Sequence, residues 1–369
     1  MKTRASRLII HIGGPKTGSS ALQSFIALQH DTLEERGVVA PFHPNFSRAK
    51  LGKNTAGNGS LLLDPNHLRK DCCAVPEKIY LYSSESLFQG LLDDAALSRV
   101  LDLAAEKGYA VTITVMTRNF FEFANSAWNQ IVKTSGYRKN FSEFLLADVE
   151  ESNLAFSPWN FKILLQWLVL AKDRKLDLRV INYETYKKKL IERFFQAVLD
   201  VHLSPEELRL GKGLTVNRSL SVDEAMLQIE FNKYFKGNAG RFIAEPLIEQ
   251  MGDIKQGLQY FSEETYTQVV DKFSPLIREI NLHLDSEKVV FTPYDVLERK
   301  FGGTARDSIS LEIGQVEVLA RSISEEIIRH KNPSRRSLFY WAAVSLIPSG
   351  LKKLIPSRIK NDLFSRINR

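Results

Sequence analysis

Cysteine is nearly missing from this chain: two in 369 residues, side by side at Cys72 and Cys73. Adjacent cysteines rarely bridge, so nothing suggests a disulfide framework, and a reducing compartment is expected. No Cys/His spacing has the form of a zinc site, and no bound metal is expected. No run reaches the ~18 apolar residues of a membrane span. The first apolar stretch, Leu8 to Ile12, is broken at once by Gly13, Gly14 and Pro15. It is too short for a secretory leader, so a cytoplasmic location is expected. Internal repeats and extended low-complexity segments are also missing. What remains is 44% apolar and 25% charged, enough for a sizeable core and unlike a disordered chain.

A basic surface spread over the body is missing too. The formal charge is +7, yet Arg329 to Arg369 holds ten Lys or Arg against one acid, Asp362. That stretch therefore carries +9 and the remainder −2, which argues against nucleic acid as a partner. Within it, Leu351, Leu354, Ile355, Ile359, Leu363 and Phe364 recur at near-helical spacing among basic residues. The pattern fits a helix lying on an anionic membrane, which would make the protein peripheral at the inner membrane face. It equally fits a helical arm packed on the body or on a second subunit.

Four apolar, β-branched stretches read as strands: Arg7–Ile12, Lys78–Ser84, Tyr109–Arg118 and Leu176–Glu184. Helical patterns follow them, from Ser19 or Ser20 to Gln29, over Asn119–Thr134, and over Trp159–Lys172. Strands alternating with helices predict an α/β fold with a parallel sheet flanked by helices. Residues 41–76, with "KNTAGNGS", read as a long surface excursion. Beyond Val201 the patterns are helical: Ser221–Phe235, Ala239–Gly257 and Glu263–Leu284. The expected organisation is one domain over 1–300, helical from about 221, and a helical basic extension over 301–369.

The turn after the first strand reads "GGPKTGSS". Gly13 and Gly18 keep the spacing of a P-loop, G-x-x-x-x-G-K-[ST], but Ser19 stands where the lysine belongs and the lysine lies inside the loop, at Lys16. Between a strand and a helix, such a loop points backbone N–H groups inward and sets an anion at the positive helix end. Gly14, Pro15, Lys16, Thr17, Gly18, Ser19 and Ser20 are the candidate cradle. Lys16 adds a point charge where a leaving oxygen becomes negative. Enzymes that split nucleoside triphosphates place an acid for magnesium at a neighbouring strand end. Here one strand runs into Thr117-Arg118 and the other into Ser83-Ser84-Glu85.

"GGPKTGSSALQ" resembles the 5′-phosphosulfate loop of sulfotransferases that use 3′-phosphoadenosine 5′-phosphosulfate (PAPS). "TRNFFEFANSAWNQ" resembles that family's 3′-phosphate motif, a strand-end arginine followed eight residues later by a serine, here Arg118 and Ser126. On a helix that offset is about 80° past two turns, so both can face one phosphate. The likeness runs over roughly residues 7–225. It implies a P-loop-type sulfotransferase fold and PAPS as donor substrate. It also implies an acceptor hydroxyl on a glycan or glycolipid, since the bacterial carbohydrate-type members are most similar. The family's R-K-G segment has no counterpart, and "GKGLTVNRSLS" offers Lys212 or Arg218 in its stead.

For the catalytic base, the family's glutamate after the second strand implies Glu85, against the plainer reading of a first-turn acid near a helix dipole. His11 is a second candidate, in competition with a hydrogen-bonded core histidine. Trp128 and Trp159 offer rings for adenine or sugar, or simply fill the core. Two other functions fit the same loop. One is a P-loop kinase with an irregular loop, the other a non-catalytic nucleotide-binding scaffold with a membrane-docking tail.

Overall fold

The computed structural model describes residues 6–51, 57–64, 67, 77–149, 154–210, 218–235, 238–254, 257–301 and 308–329. Cys72, Cys73, Lys212 and the basic C-terminal stretch lie outside them. Among the described residues no helix is long and apolar enough to cross a membrane.

The strands are β1 (Arg7–His11), β2 (Val38–Val39), β3 (Ile79–Ser83), β4 (Ala110–Thr117) and β5 (Asp177–Asn182). They form one sheet in the order β2-β3-β1-β4-β5, with every pairing parallel. A parallel sheet is covered on both faces, which is why β1 reads as an unbroken apolar run; Leu8, Ile9 and Ile10 are fully buried. The main helices are α1 (Ser19–Leu28), α2 (Asp94–Glu106), α3 (Phe120–Thr134), α4 (Asn160–Arg174), α5 (Val222–Phe235), α6 (Ala244–Gln250), α7 (Glu263–Leu282) and α8 (Ile313–Arg329). In such a sheet, ligands gather outside the carboxyl ends of the strands, where the strand order reverses. Here that point is next to β1.

The chain divides into two units, interleaved rather than consecutive. The first comprises Met1–Ala124, Ala147–Asn217 and Thr267–Thr292; the second comprises Asn125–Leu146, Arg218–Tyr266 and Pro293–Arg369. This differs from the expected break near residue 300. The reason is packing: α8 buries Val318, Leu319 and Ile323 against Leu227, Phe231, Phe242 and Leu247 of α5 and the chain around α6. The helix expected over Ala239–Gly257 is also broken, into a 3-10 turn at Asn238–Arg241 and α6. Pro246 accounts for the restart, because it lacks an N–H and its ring is tolerated only in a first turn.

In the first unit, a described part of the stretch expected as a surface excursion reaches the sheet through Asn58. Among the described residues, β2 pairs two residues of β3, Ile79 and Tyr80, and no strand continues that edge. Asn58, buried, fills the gap with its side-chain amide. Its Nδ2 donates to Leu81 O at 3.1 Å and its Oδ1 accepts from Ser83 N at 2.8 Å. One side chain thus takes the place of a missing strand and satisfies buried backbone groups.

Candidate functional site

β1 ends at His11, and the register sets His11 beside Ser83 of β3 and Thr114 of β4. The ladder runs one residue further, with Ile12 N on Thr114 O, before the chain turns over the sheet end. Gly14 crosses so near β4 that a Cβ there would lie 2.4 Å from Met116 O. Lys16 takes a positive φ of 62°, and Gly18, at φ 93°, is the N-cap of α1. A Cβ on Gly18 would meet Leu190 Cδ2 at 2.5 Å and Tyr183 Cε2 at 2.8 Å. Only glycine fits that close approach at that dihedral. Pro15 and Thr17 are buried, and Thr17 Oγ1 ties the loop by donating to Gly14 O. Ser19 and Ser20 open α1, so the helix's first N–H groups and its positive end stand over the loop.

Around this loop the first unit gathers three chemically active side chains. A Cβ on Gly13 would have as neighbours Ser19 Oγ at 2.8 Å, His11 Cε1 at 3.3 Å and Glu85 Cγ at 3.4 Å. Burial pushes the Glu85 carboxyl above the usual carboxylate range, against the opposing pull of the Lys16 charge and a hydrogen bond from Ser19. Burial likewise lowers the Lys16 ammonium; Glu85 opposes that shift and Arg118 adds to it. A half-buried cation and a half-buried carboxylate therefore face each other across the turn. Each depends on the other to stay charged.

His11 is fully buried and neutral, with burial alone taking its pKa down to about 3. Its Nδ1 shares a hydrogen bond with Ser83 Oγ at 2.8 Å, its ring stands edge-on to Phe194, and its Nε2 has no partner among the described residues. That environment is the core-histidine one. Among the described residues no group of three or more His, Cys, Asp or Glu is placed to hold a metal ion.

Arg118 follows β4 and turns towards the loop. Its Nη1 donates to Lys16 O at 3.0 Å, so the arginine of the second motif touches the lysine of the first. Its Nε donates to Glu184 Oε1 at 2.7 Å, and its Nη2 donates to the same oxygen. The guanidinium lies over the Tyr183 ring, 4.7 Å from its centroid. Glu122, the acid nearest in sequence, takes no part and accepts instead from Thr292 Oγ1. Glu184 and Tyr183 are residues that sequence reasoning missed. They sit on a third strand-to-helix turn, after β5, where Asn182 Oδ1 caps the short helix Tyr183–Tyr186 by accepting from Glu184 N at 3.0 Å. An Asn at the end of an apolar strand, followed by an acid, is an N-cap signal that could have pointed there.

No protein-family model matches the chain, and no curated protein matches it either. Among solved structures it is similar to mouse sulfotransferase SULT7A1, crystallised complexed with PAP. The identity is 15%, the match covers 75% of this chain and 86% of that one, and the TM-score is 0.40.

Four further predicted residues remain. Ser126 lies on α3, nearly buried, in the part that belongs to the second unit. Trp128 fills the second unit's core, edge-on to Phe141, with its Nε1 bonded to Lys139 O. Trp159 packs on Phe273 in the first unit, with its Nε1 bonded to Ala147 O. Arg218 is the clearest correction. In the second unit its five N–H donors reach Met251 O (2.7 Å), Ser219 O (3.1 Å), Leu247 O (2.9 Å) and both oxygens of Glu224 (2.6 and 2.8 Å). An arginine has only five such donors, so none is left for a phosphate. The "NRSLS" stretch is in fact a helix start: Ser221 and Glu224 exchange hydrogen bonds as a capping box for α5.

Proposed function

We propose that the first unit is the catalytic body of a sulfotransferase that moves the sulfuryl group of PAPS to an acceptor hydroxyl. The observation that supports this best is the hydrogen bond from Arg118 to the Lys16 carbonyl, which makes the two anion-binding motifs one continuous surface. The loop amides and the α1 N-terminus hold the 5′-phosphosulfate, and Arg118 reads the second phosphate of the donor. The acceptor oxygen attacks sulfur, and its proton passes to Glu85. The bond from sulfur to the 5′-phosphate oxygen breaks, and adenosine 3′,5′-bisphosphate leaves with the new negative charge beside Lys16. The transition state is loose, so the protein contributes mainly in-line positioning and charge neutralisation.

The acceptor we propose is a glycan or glycolipid hydroxyl. The basic, apolar C-terminal pattern would hold the enzyme near an anionic membrane that presents it. These finer assignments rest on sequence alone.

Calorimetric titration separates this function from its rivals. Adenosine 3′,5′-bisphosphate should bind at least about tenfold more tightly than ATP, with or without magnesium, because one charged hydrogen-bond set is lost with ATP. Tighter, magnesium-dependent ATP binding would instead identify a kinase. Tight bisphosphate binding without sulfate transfer to any of a panel of sugars would leave a scaffold. In the transfer assay, Lys16→Ala should lower turnover by roughly 10²–10³-fold, as for removal of a preorganised donor at the developing charge. Full turnover in that variant would refute the role given to Lys16.

A further inference from the structure

The contacts around Arg118 are more complete than phosphate binding alone requires. A guanidinium can be fixed at its Nε edge, at its tip and across its plane, and here all three are fixed. Glu184 takes the Nε edge, the Lys16 carbonyl takes one tip hydrogen, and the Tyr183 ring supports the plane. Of the five donors, two have no partner among the described residues, one on each terminal nitrogen. Those are the donors left for a phosphate.

Glu184 is itself held from behind. Asn182 caps its backbone, and Asn182 Nδ2 donates to Asn119 Oδ1 at 3.1 Å and to Lys288 O at 2.8 Å. Asn182 N also donates to Glu287 Oε2 at 2.9 Å. The carboxylate therefore stands at a fixed point between the ends of β4 and β5. Both side chains are largely covered, 12% exposed for Arg118 and 18% for Glu184, so the pair is little weakened by solvent.

We infer that Glu184 is a positioning residue. It clamps the side edge of Arg118 so that the terminal donors are presented to the second phosphate, and so sets the preference for a doubly phosphorylated adenosine. This rests on the donor assignment proposed above. A carboxylate near a phosphate site also repels it. The geometry favours positioning because Glu184 occupies the Nε edge of the guanidinium and leaves one donor on each terminal nitrogen.

The test is calorimetry on the full chain with two ligands, adenosine 3′,5′-bisphosphate and adenosine 5′-phosphate. Wild type should prefer the bisphosphate. Glu184→Gln, which keeps the shape and removes the charge, should reduce that preference roughly tenfold or more, while adenosine 5′-phosphate binds within about twofold of wild type. In an Arg118→Ala background the same change should have no further effect on the ratio, because Glu184 acts only through Arg118. If wild type shows no preference, the donor assignment fails and this inference falls with it. With that preference present in wild type, three results would overturn the positioning role alone. They are an unchanged or increased ratio in Glu184→Gln, equal loss of both ligands, and a further loss of ratio in the Arg118→Ala background.

Discussion

Replacing Glu85 by Gln should lower sulfate transfer by about 10²–10⁴-fold while donor affinity stays within a few-fold of wild type. The carboxylate follows β3 directly, beside Gly13 and Ser19 and facing the Lys16 charge. Burial raises its pKa, which brings a carboxylate closer to the operating pH that a general base needs. The sign of the pH dependence follows. In the proposed role the carboxylate must be ionised, so activity should rise with pH through a value above the ordinary glutamate range. The Lys16 ammonium, lowered by burial, must stay protonated, so activity should fall again below the ordinary lysine range. A pH–rate profile of kcat/KM would show both limbs in wild type and lose the acidic one in Glu85→Gln. A variant with near-normal turnover and an intact acidic limb would place the base elsewhere.

Arg218→Met should destabilise the second unit by about 3–5 kcal/mol, because it leaves a buried carboxylate without its cation. Glu224 is fully buried, and three backbone carbonyls also lose their donor. In the wild-type protein, burial raises the Glu224 pKa, but Arg218, Ser221 and Gln315 outweigh it and the net shift is downward. A depressed carboxylate contributes stability that is present above its unfolded pKa and is lost as pH falls through the lower, folded one. Without Arg218 the burial effect is left largely unopposed, so the variant should regain stability on acidification where wild type loses it. Urea unfolding at several pH values, with hydrogen exchange over Val222–Phe235, measures both effects. The same variant should bind adenosine 3′,5′-bisphosphate as wild type does. A variant of normal stability that lost the nucleotide would return Arg218 to the donor site.

These two results touch the two kinds of information the chain carries. Strand and helix patterns were legible because they are local: Leu8–Ile10, the β-branched run from Val111 to Val115, and the helical spacing over 120–134 each report on their own neighbours. The missed β2 is only two residues long and too short to show a period. The turn between β1 and α1 was legible for a similar reason, since Gly14, Lys16 and Gly18 lie within five consecutive positions, and backbone geometry there is set by residue type. Arg218 misled because a motif says which residue is present and nothing about who neutralises it. The arginine that should have read a phosphate was already spent on Glu224.

By itself the sequence determined an α/β chain with a glycine-bracketed loop between its first strand and helix, and an arginine at the end of a later strand. Tertiary structure decided that Arg118 leans on Glu184, 66 positions away, that Asn58 finishes the edge of β3, and that α8 packs into the second unit. The physical reason is that these are contacts between distant segments, fixed by strand order and by the need to satisfy buried polar groups, and neither quantity is written in any local window of residues.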